Sequence, residues 1–443
     1  MGCYNRLTGL IVALLILTAA PSAAQSTMDV RVRLFDQAEP LVVSIASQDG
    51  PISLYAGDHE DELVRLEEGE TSTLSRASNQ LYVRIGEYGI FAHALRIEPS
   101  PGARMVLAVE EGRTPTPARS YSGLTYVSLE GADQQLQLIN EINLEDYVAA
   151  VVAAEYGFDD LEGAKAMAVI VRTYTMATLN KYGSNYDHVD HTLSQVYHGT
   201  EGITPTIREA VRQTQGEVLR HDGELIEAVY FAASGGHTAD NEDVWSADAL
   251  PYLRGIPDPY GKSGPQTAWT SRILRASLLA ALSEEFGNVT GFVVAERGDD
   301  GRVISVELLK ASGRTQSIMG NEFRMLVVRH FDAAALPSTL FTVQLVDDEY
   351  VFEGSGSGHG VGLSQWGAHE LARRNSSYED ILDFYYTDVQ LEQLDDSPVA
   401  AKMPSESRSE PGDPSFDLPS DPPTDLPANQ PVEPARRTGR IGW

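Results

Sequence analysis

Between residues 29 and 140 apolar and polar positions alternate in short runs, at 30–34, 41–45, 81–85, 105–109 and 136–139, separated by turn residues. A period of two predicts half-buried antiparallel strands. The period then changes. Asn143 is placed to cap a helix with Asp146 at its third position, and Leu144, Tyr147, Val148, Val151 and Val152 follow as one apolar stripe. Asp160 is placed to cap a second helix that runs to Tyr182, with Gly183 just past its end. Thr204-Pro205 opens a third helix ending near Gly216, and Asp222-Gly223 predicts a hairpin turn between runs 216–220 and 225–231.

Residues 270–287 read as an amphipathic helix, followed by strand-like runs at 292–295, 303–309 and 341–345. Ser377 with Asp380 three positions on marks the start of a last helix, after another that follows a glycine-rich stretch. Strands come in groups and helices in clusters, so the expected class is α+β: antiparallel β-rich lobes around a helical cluster that carries a cleft. The expected divisions are residues 25–140, 141–262 and 263–392, flanked by a leader (1–24) and a tail (393–443).

The leader has Arg6, an apolar run at 10–20 and Ser22-Ala23-Ala24 before Gln25, the layout of a secretory signal cleaved near Gln25. The apolar run is shorter than about 30 Å of hydrocarbon requires, so no membrane span is expected after cleavage. The sole cysteine, Cys3, falls inside the leader, which leaves an exported chain without disulfide or thiol nucleophile. From Asp395 onward Pro, Ser, Asp and Glu dominate, a composition too polar to fold on its own. A net charge of −31 argues against nucleic acid or anionic lipid as partner and is read as a solubility device.

Glycines alternate through Gly354-Ser355-Gly356-Ser357-Gly358-His359-Gly360-Val361-Gly362, which is followed by Leu363-Ser364-Gln365-Trp366-Gly367-Ala368. Such a backbone bends sharply and approaches a ligand closely, and His359, Gln365 and Trp366 are the side chains left to touch one. It lacks the spacing and lysine of a phosphate-binding loop.

This segment resembles the closing motif of the SpoIID/LytB family of bacterial cell-wall proteins. Three further regions match in order: Asn140-Glu141-Ile142-Asn143-Leu144-Glu145-Asp146-Tyr147-Val148 with Glu155; the helix Ala164-Lys165-Ala166-Met167-Ala168-Val169-Ile170-Val171-Arg172-Thr173-Tyr174; and the loops Gln195-Val196-Tyr197-His198-Gly199 and Ala233-Ser234-Gly235-Gly236-His237-Thr238. The likeness spans about residues 30–392.

Glu155 continues the apolar stripe at the end of its helix, where desolvation would keep a carboxyl group protonated near neutral pH and fit it to act as a general acid. Periodicity alone leaves open a helix-end glutamate that reaches water. The resemblance implies the catalytic role. Arg172, on a small-residue stripe, is expected to fix Glu155 or to hold substrate, with a structural ion pair as the alternative. Successive N–H groups of Ser234, Gly235 and Gly236 are expected to face the cleft beside His237, and Tyr197 and Trp366 to offer flat faces to sugar rings.

His188, His191 and His198 lie where some relatives resemble a zinc site of histidine and cysteines. This chain has no cysteine there, and the reading includes no metal and no cofactor. What the resemblance implies is an exported, envelope-located lytic transglycosylase acting on peptidoglycan glycan strands. Glu155 would protonate the oxygen between N-acetylmuramic acid and N-acetylglucosamine, then accept a proton as the muramyl hydroxymethyl group closes an anhydro ring. Tyr156-Gly157 stands where relatives commonly have Met-Pro, and Met167 where they have glutamine, which leaves open any preference for peptide-stripped strands. Two other readings stand beside it: a noncatalytic glycan binder that enhances a cell-wall amidase, and a hydrolase using Asp159 or Asp160 as second carboxylate.

Overall fold

A computed structural model of the chain describes residues 28–394 except 58, 60, 132, 133, 263 and 265–267. The expected leader and the tail from residue 395 lie outside these residues, but Gln393 and Leu394, expected in the tail, belong to the fold: Gln393 pairs with Glu217 and the Leu394 N–H bonds to the Gly216 carbonyl. The alternating N-terminal runs form two sheets. One has seven strands in the spatial order His188–Val189, Asp29–Leu34, Gln135–Asn143, Leu124–Glu130, Leu95–Pro99, Ile52–Ala56, Glu62–Leu66. The other has six: Thr116–Tyr121, Arg104–Gly112, Pro40–Gln48, Thr71–Ala77, Gln80–Ile85, Tyr88–Ala92. Gln135–Asn143 packs across onto Pro40–Gln48 and Thr71–Ala77, so Val43, Ile45, Leu74 and Leu138 meet in a shared interior.

That strand aims the first helix. It ends at Asn143, whose side chain accepts the Glu145 N–H at 3.0 Å and so starts α1 (Leu144–Glu155). Tyr147, Val148, Val151 and Val152 of α1 are buried in the same core. Helix α2 (Leu161–Ala177) packs beside it, its first turn capped by Asp160 through the Gly163 N–H. Helix α3 (Pro205–Gln213) is capped by Thr204.

Two helices are shorter than their patterns predict. α2 stops at Ala177 rather than Tyr182, because Thr173, Thr175 and Thr178 turn their hydroxyls onto carbonyls four residues back and Asn180 adopts φ 59°. α3 stops at Gln213, where Thr214 does the same to Ala210. The Asp222-Gly223 turn has the two positive φ angles its sequence demands, 50° and 81°. Its second strand is only Glu224–Leu225, however, and Tyr230–Phe231 leaves to pair in parallel with Leu363–Ser364.

Part of the chain between those two partners, from Trp269 to Gly354, builds a second lobe with its own core of Leu278, Leu282, Phe292, Leu308, Phe323 and Phe352. Two three-stranded antiparallel sheets and the helices Arg275–Phe286 and Gly320–His330 enclose it. The pattern at 270–287 predicts helix throughout, but Trp269–Leu274 is a strand held by Glu349–Gly354. The class is α+β, with several antiparallel sheets and eight α-helices among the described residues. None of those helices is long and apolar enough to cross a membrane.

Candidate active site

Glu155 is the last residue of α1 and is 4% exposed. Its Oε1 accepts the Val196 N–H at 2.8 Å. Its Oε2 is buried against the Tyr230 hydroxyl, and among the described residues neither makes a fully formed hydrogen bond. Burial pushes the Glu155 carboxyl from the ordinary 4.5 up to about 7, against opposing pulls from the Val196 N–H and the Tyr230 hydroxyl. Tyr147 and Tyr230 are ionisable neighbours whose own ionisation the carboxyl opposes. A carboxylic acid half-protonated near neutrality, with one oxygen anchored and the other unpaired, is equipped to give up a proton and take one back.

Two of the resembling motifs, the Gln195–Gly199 loop and the closing segment, bond to Glu155. Val196 belongs to the Gln195–Gly199 loop, which Gln195 fastens to Thr175 of α2 at 3.0 Å. Tyr230 sits on the short strand bonded to Leu363–Ser364. Gln365 donates to the Glu155 carbonyl at 3.2 Å and so closes the end of α1.

Several expected ligand contacts turn inward. Arg172 is fully buried and grips Glu145 with Nε and Nη2 at 2.9 and 2.5 Å, adding a bond to the Glu217 carbonyl. It is a structural ion pair at the other end of α1 and is not a substrate contact. Tyr197 is equally buried: its ring lies against Tyr121 and Tyr147, and its hydroxyl donates to Asn140 at 2.7 Å. It is core, because the loop carries it under the sheet. The Ser234 and Gly236 N–H groups bond to Ser364 Oγ and Ser234 Oγ, so they point into the protein and do not form an open nest.

The glycine run also packs on protein. His359 donates from Nε2 to the Tyr230 carbonyl at 2.9 Å and accepts the Val361 N–H at Nδ1, and burial holds its imidazole down to about 3. Gln365 is likewise buried and braces the helix end from inside. Gly362 (φ 75°) passes so close to the Val229 carbonyl that a Cβ there would stand 2.1 Å away. Close approach is the purpose of this glycine, as expected, but the neighbour is backbone.

Trp366 remains half-exposed, as do Gly235 and His237. Around Trp366 lies a group the sequence did not reveal. Phe158 meets its ring edge-on at 4.7 Å and stacks on His369 at 4.2 Å, and His369 Nδ1 is 2.6 Å from Asp160 Oδ2. Asp160 already accepts from Gly163 and Tyr156, so it has no role as a free second carboxylate. Asp159, the other residue considered for that role, is exposed. His188 is stacked on Tyr147 and bonded to Ser194 and Thr175, and His191 pairs with Asp36, so neither is arranged for a shared ion.

The family described as Stage II sporulation protein, SpoIID, matches residues 132–221, the stretch that holds Glu155 and Val196. That region of the chain is SpoIID-like. A domain of unknown function, DUF8618, matches residues 265–362, which covers the second lobe. An uncharacterised protein of Brachyspira hyodysenteriae is 28% identical over 368 residues, 82% of this chain and 92% of its own. The stage II sporulation protein D of Bacillus subtilis is 29% identical over 284 residues, 58% of this chain and 77% of that one. The amidase enhancer of Bacillus subtilis is 29% identical over 276 residues, 51% of this chain but only 37% of its own length. The SpoIID match supports a role connected with the cell wall.

Proposed function

We propose that this SpoIID-like protein is an exported lytic transglycosylase of the peptidoglycan glycan strand. The observation that carries the reading is the buried Glu155 carboxyl, raised to about 7 and holding one unpaired oxygen. In the first step Glu155 gives its proton to the oxygen joining N-acetylmuramic acid to N-acetylglucosamine, and the bond from that oxygen to the muramyl C1 breaks. In the second, the muramyl C6 hydroxyl attacks C1 and passes its proton to Glu155, restoring the acid. One carboxyl group suffices because the nucleophile is part of the substrate. The Trp366 face is the platform for a sugar ring, with Phe158 and His369 fixing its angle.

The second reading, a noncatalytic glycan binder that enhances a cell-wall amidase, is favoured by the likeness to the Bacillus subtilis amidase enhancer. The two differ in their product. Purified peptidoglycan incubated with the mature protein and analysed by mass spectrometry yields soluble muropeptides with anhydro ends on the first reading. These ends are absent with Glu155→Gln. No soluble product, with faster release by an added amidase, identifies the second. Reducing ends would point to hydrolysis and overturn both.

A further inference from the structure

Arg302 enters the first lobe from the second and is buried there, 3% of its side chain exposed. Its Nη2 donates to the Ser234 carbonyl at 2.7 Å and reaches the His237 carbonyl at 3.4 Å. The guanidinium lies flat against Gly360 (φ 96°), where any Cβ would stand 2.6 Å from its Nε. Asp300 balances the charge from 3.1 Å and also accepts the Arg302 N–H. Among the described residues Nη1 has no hydrogen-bond partner. Burying an arginine with unmet donors costs stability, the pattern expected of a residue retained for what it positions.

What it touches are the two loops that hold the Glu155 neighbours. Ser234 follows the Tyr230–Phe231 strand by three residues, and Ala233 is bonded in both directions to Ser357. Gly360 lies between His359, which accepts no freedom once bonded to the Tyr230 carbonyl, and the Leu363–Ser364 strand that leads into Gln365. Its carbonyl is held by the Ala239 N–H at 2.8 Å. One guanidinium therefore ties together the carriers of Tyr230 and Gln365, the two side chains set against the Glu155 carboxyl and carbonyl.

We propose that Arg302 is a positioning residue through which the second lobe sets the geometry of Glu155. This deepens the reading of Glu155 as the acid and rests on it. Without the brace both loops relax, Tyr230 and Gln365 withdraw, and water reaches the carboxyl; the gain in hydration, acting against the largest cause of the raised value, outweighs the loss of the Tyr230 hydroxyl, which alone would raise it.

The experiment compares the mature wild-type chain with Arg302→Met, Arg302→Lys and a control in the same lobe, Arg329→Met, whose half-exposed side chain pairs with Glu285. Carboxyl 13C NMR, with Glu155→Gln to assign the signal, gives the midpoint of Glu155 without any glycan present. Anhydro-product formation is followed in parallel as a pH profile. The expected result is a midpoint at least one pH unit lower in Arg302→Met, a rate at least tenfold lower and an alkaline limb displaced with the midpoint, while Arg329→Met changes none of these. Arg302→Lys, which keeps charge and reach but loses the fork, is expected to fall between. It supplies the same readouts if Arg302→Met does not fold. A folded Arg302→Met or Arg302→Lys with an unaltered midpoint and profile overturns the proposal. A displaced midpoint in a protein whose wild type releases no anhydro product upholds the brace and sinks the transglycosylase reading.

Discussion

Gln365 donates its side-chain N–H to the main-chain carbonyl of Glu155 at 3.2 Å, joining residues 210 positions apart. The bond satisfies a carbonyl at the end of α1, a place where no helical donor remains. Gln365→Leu removes the donor while keeping the bulk. Loss of one buried hydrogen bond is expected to cost about 1–2 kcal/mol in denaturant unfolding. Anhydro-product formation should fall roughly tenfold, the scale of 1.4 kcal/mol in a barrier, as the helix end loosens. A variant with wild-type rate would show that the carboxyl keeps its place without this brace.

Glu155 makes stability depend on pH. Its folded value of about 7 lies above the ordinary 4.5, so the folded state holds the proton more tightly, and stability is lost as pH rises through that window. Glu155→Gln has no such group to ionise. It is expected to match the wild type at pH 4 and to exceed it by on the order of 3 kcal/mol at pH 9, measured by urea unfolding at both. Equal stability at both pH values would mean an ordinary, water-exposed carboxyl.

The Tyr230 hydroxyl favours the ionised form of Glu155. Tyr230→Phe therefore raises the carboxyl further, and the alkaline limb of product formation is expected to move to higher pH by less than one unit. A limb that moves down instead would mean that the hydroxyl shields the carboxyl from water rather than supporting its charge. The pH–rate profile decides between the two.

The Arg172–Glu145 pair predicts loss of stability and no direct loss of chemistry. Arg172→Met strands the Glu145 carboxylate and should cost about 3–5 kcal/mol. Arg172→Met combined with Glu145→Leu removes both charges and should recover most of that. Product formation per folded molecule, measured below the melting point, is expected to stay within a few-fold of wild type.

Local signals in the sequence were accurate where the structure is local. Asn143, Asp160, Thr204 and Ser377 cap the helices their spacing predicts, and Asp222-Gly223 turns as its two residues require. The apolar stripe also carried Glu155 to a buried helix end. Partners from distant segments were not legible. Arg172 meets Glu145, Tyr197 meets Asn140, and His359 meets the Tyr230 carbonyl across 129 positions, and no pattern of hydrophobic spacing encodes such pairs. Phe158 and His369 escaped for the same reason, being ordinary loop and helix residues until the fold stacks them. The helix Gly320–His330 was missed although Glu322 bonds back to the Met319 N–H, because its apolar residues also fit a strand-rich lobe.

The two-residue ladder between Tyr230–Phe231 and Leu363–Ser364 has a consequence for biosynthesis. A ribosome delivers Glu155 long before it delivers Gln365, with the whole DUF8618 region translated in between. A truncated or half-made chain thus owns the acid but lacks the residues that shut water away from it. On the proposed reading, the acid gains its full setting only when the last segments of the fold have been made.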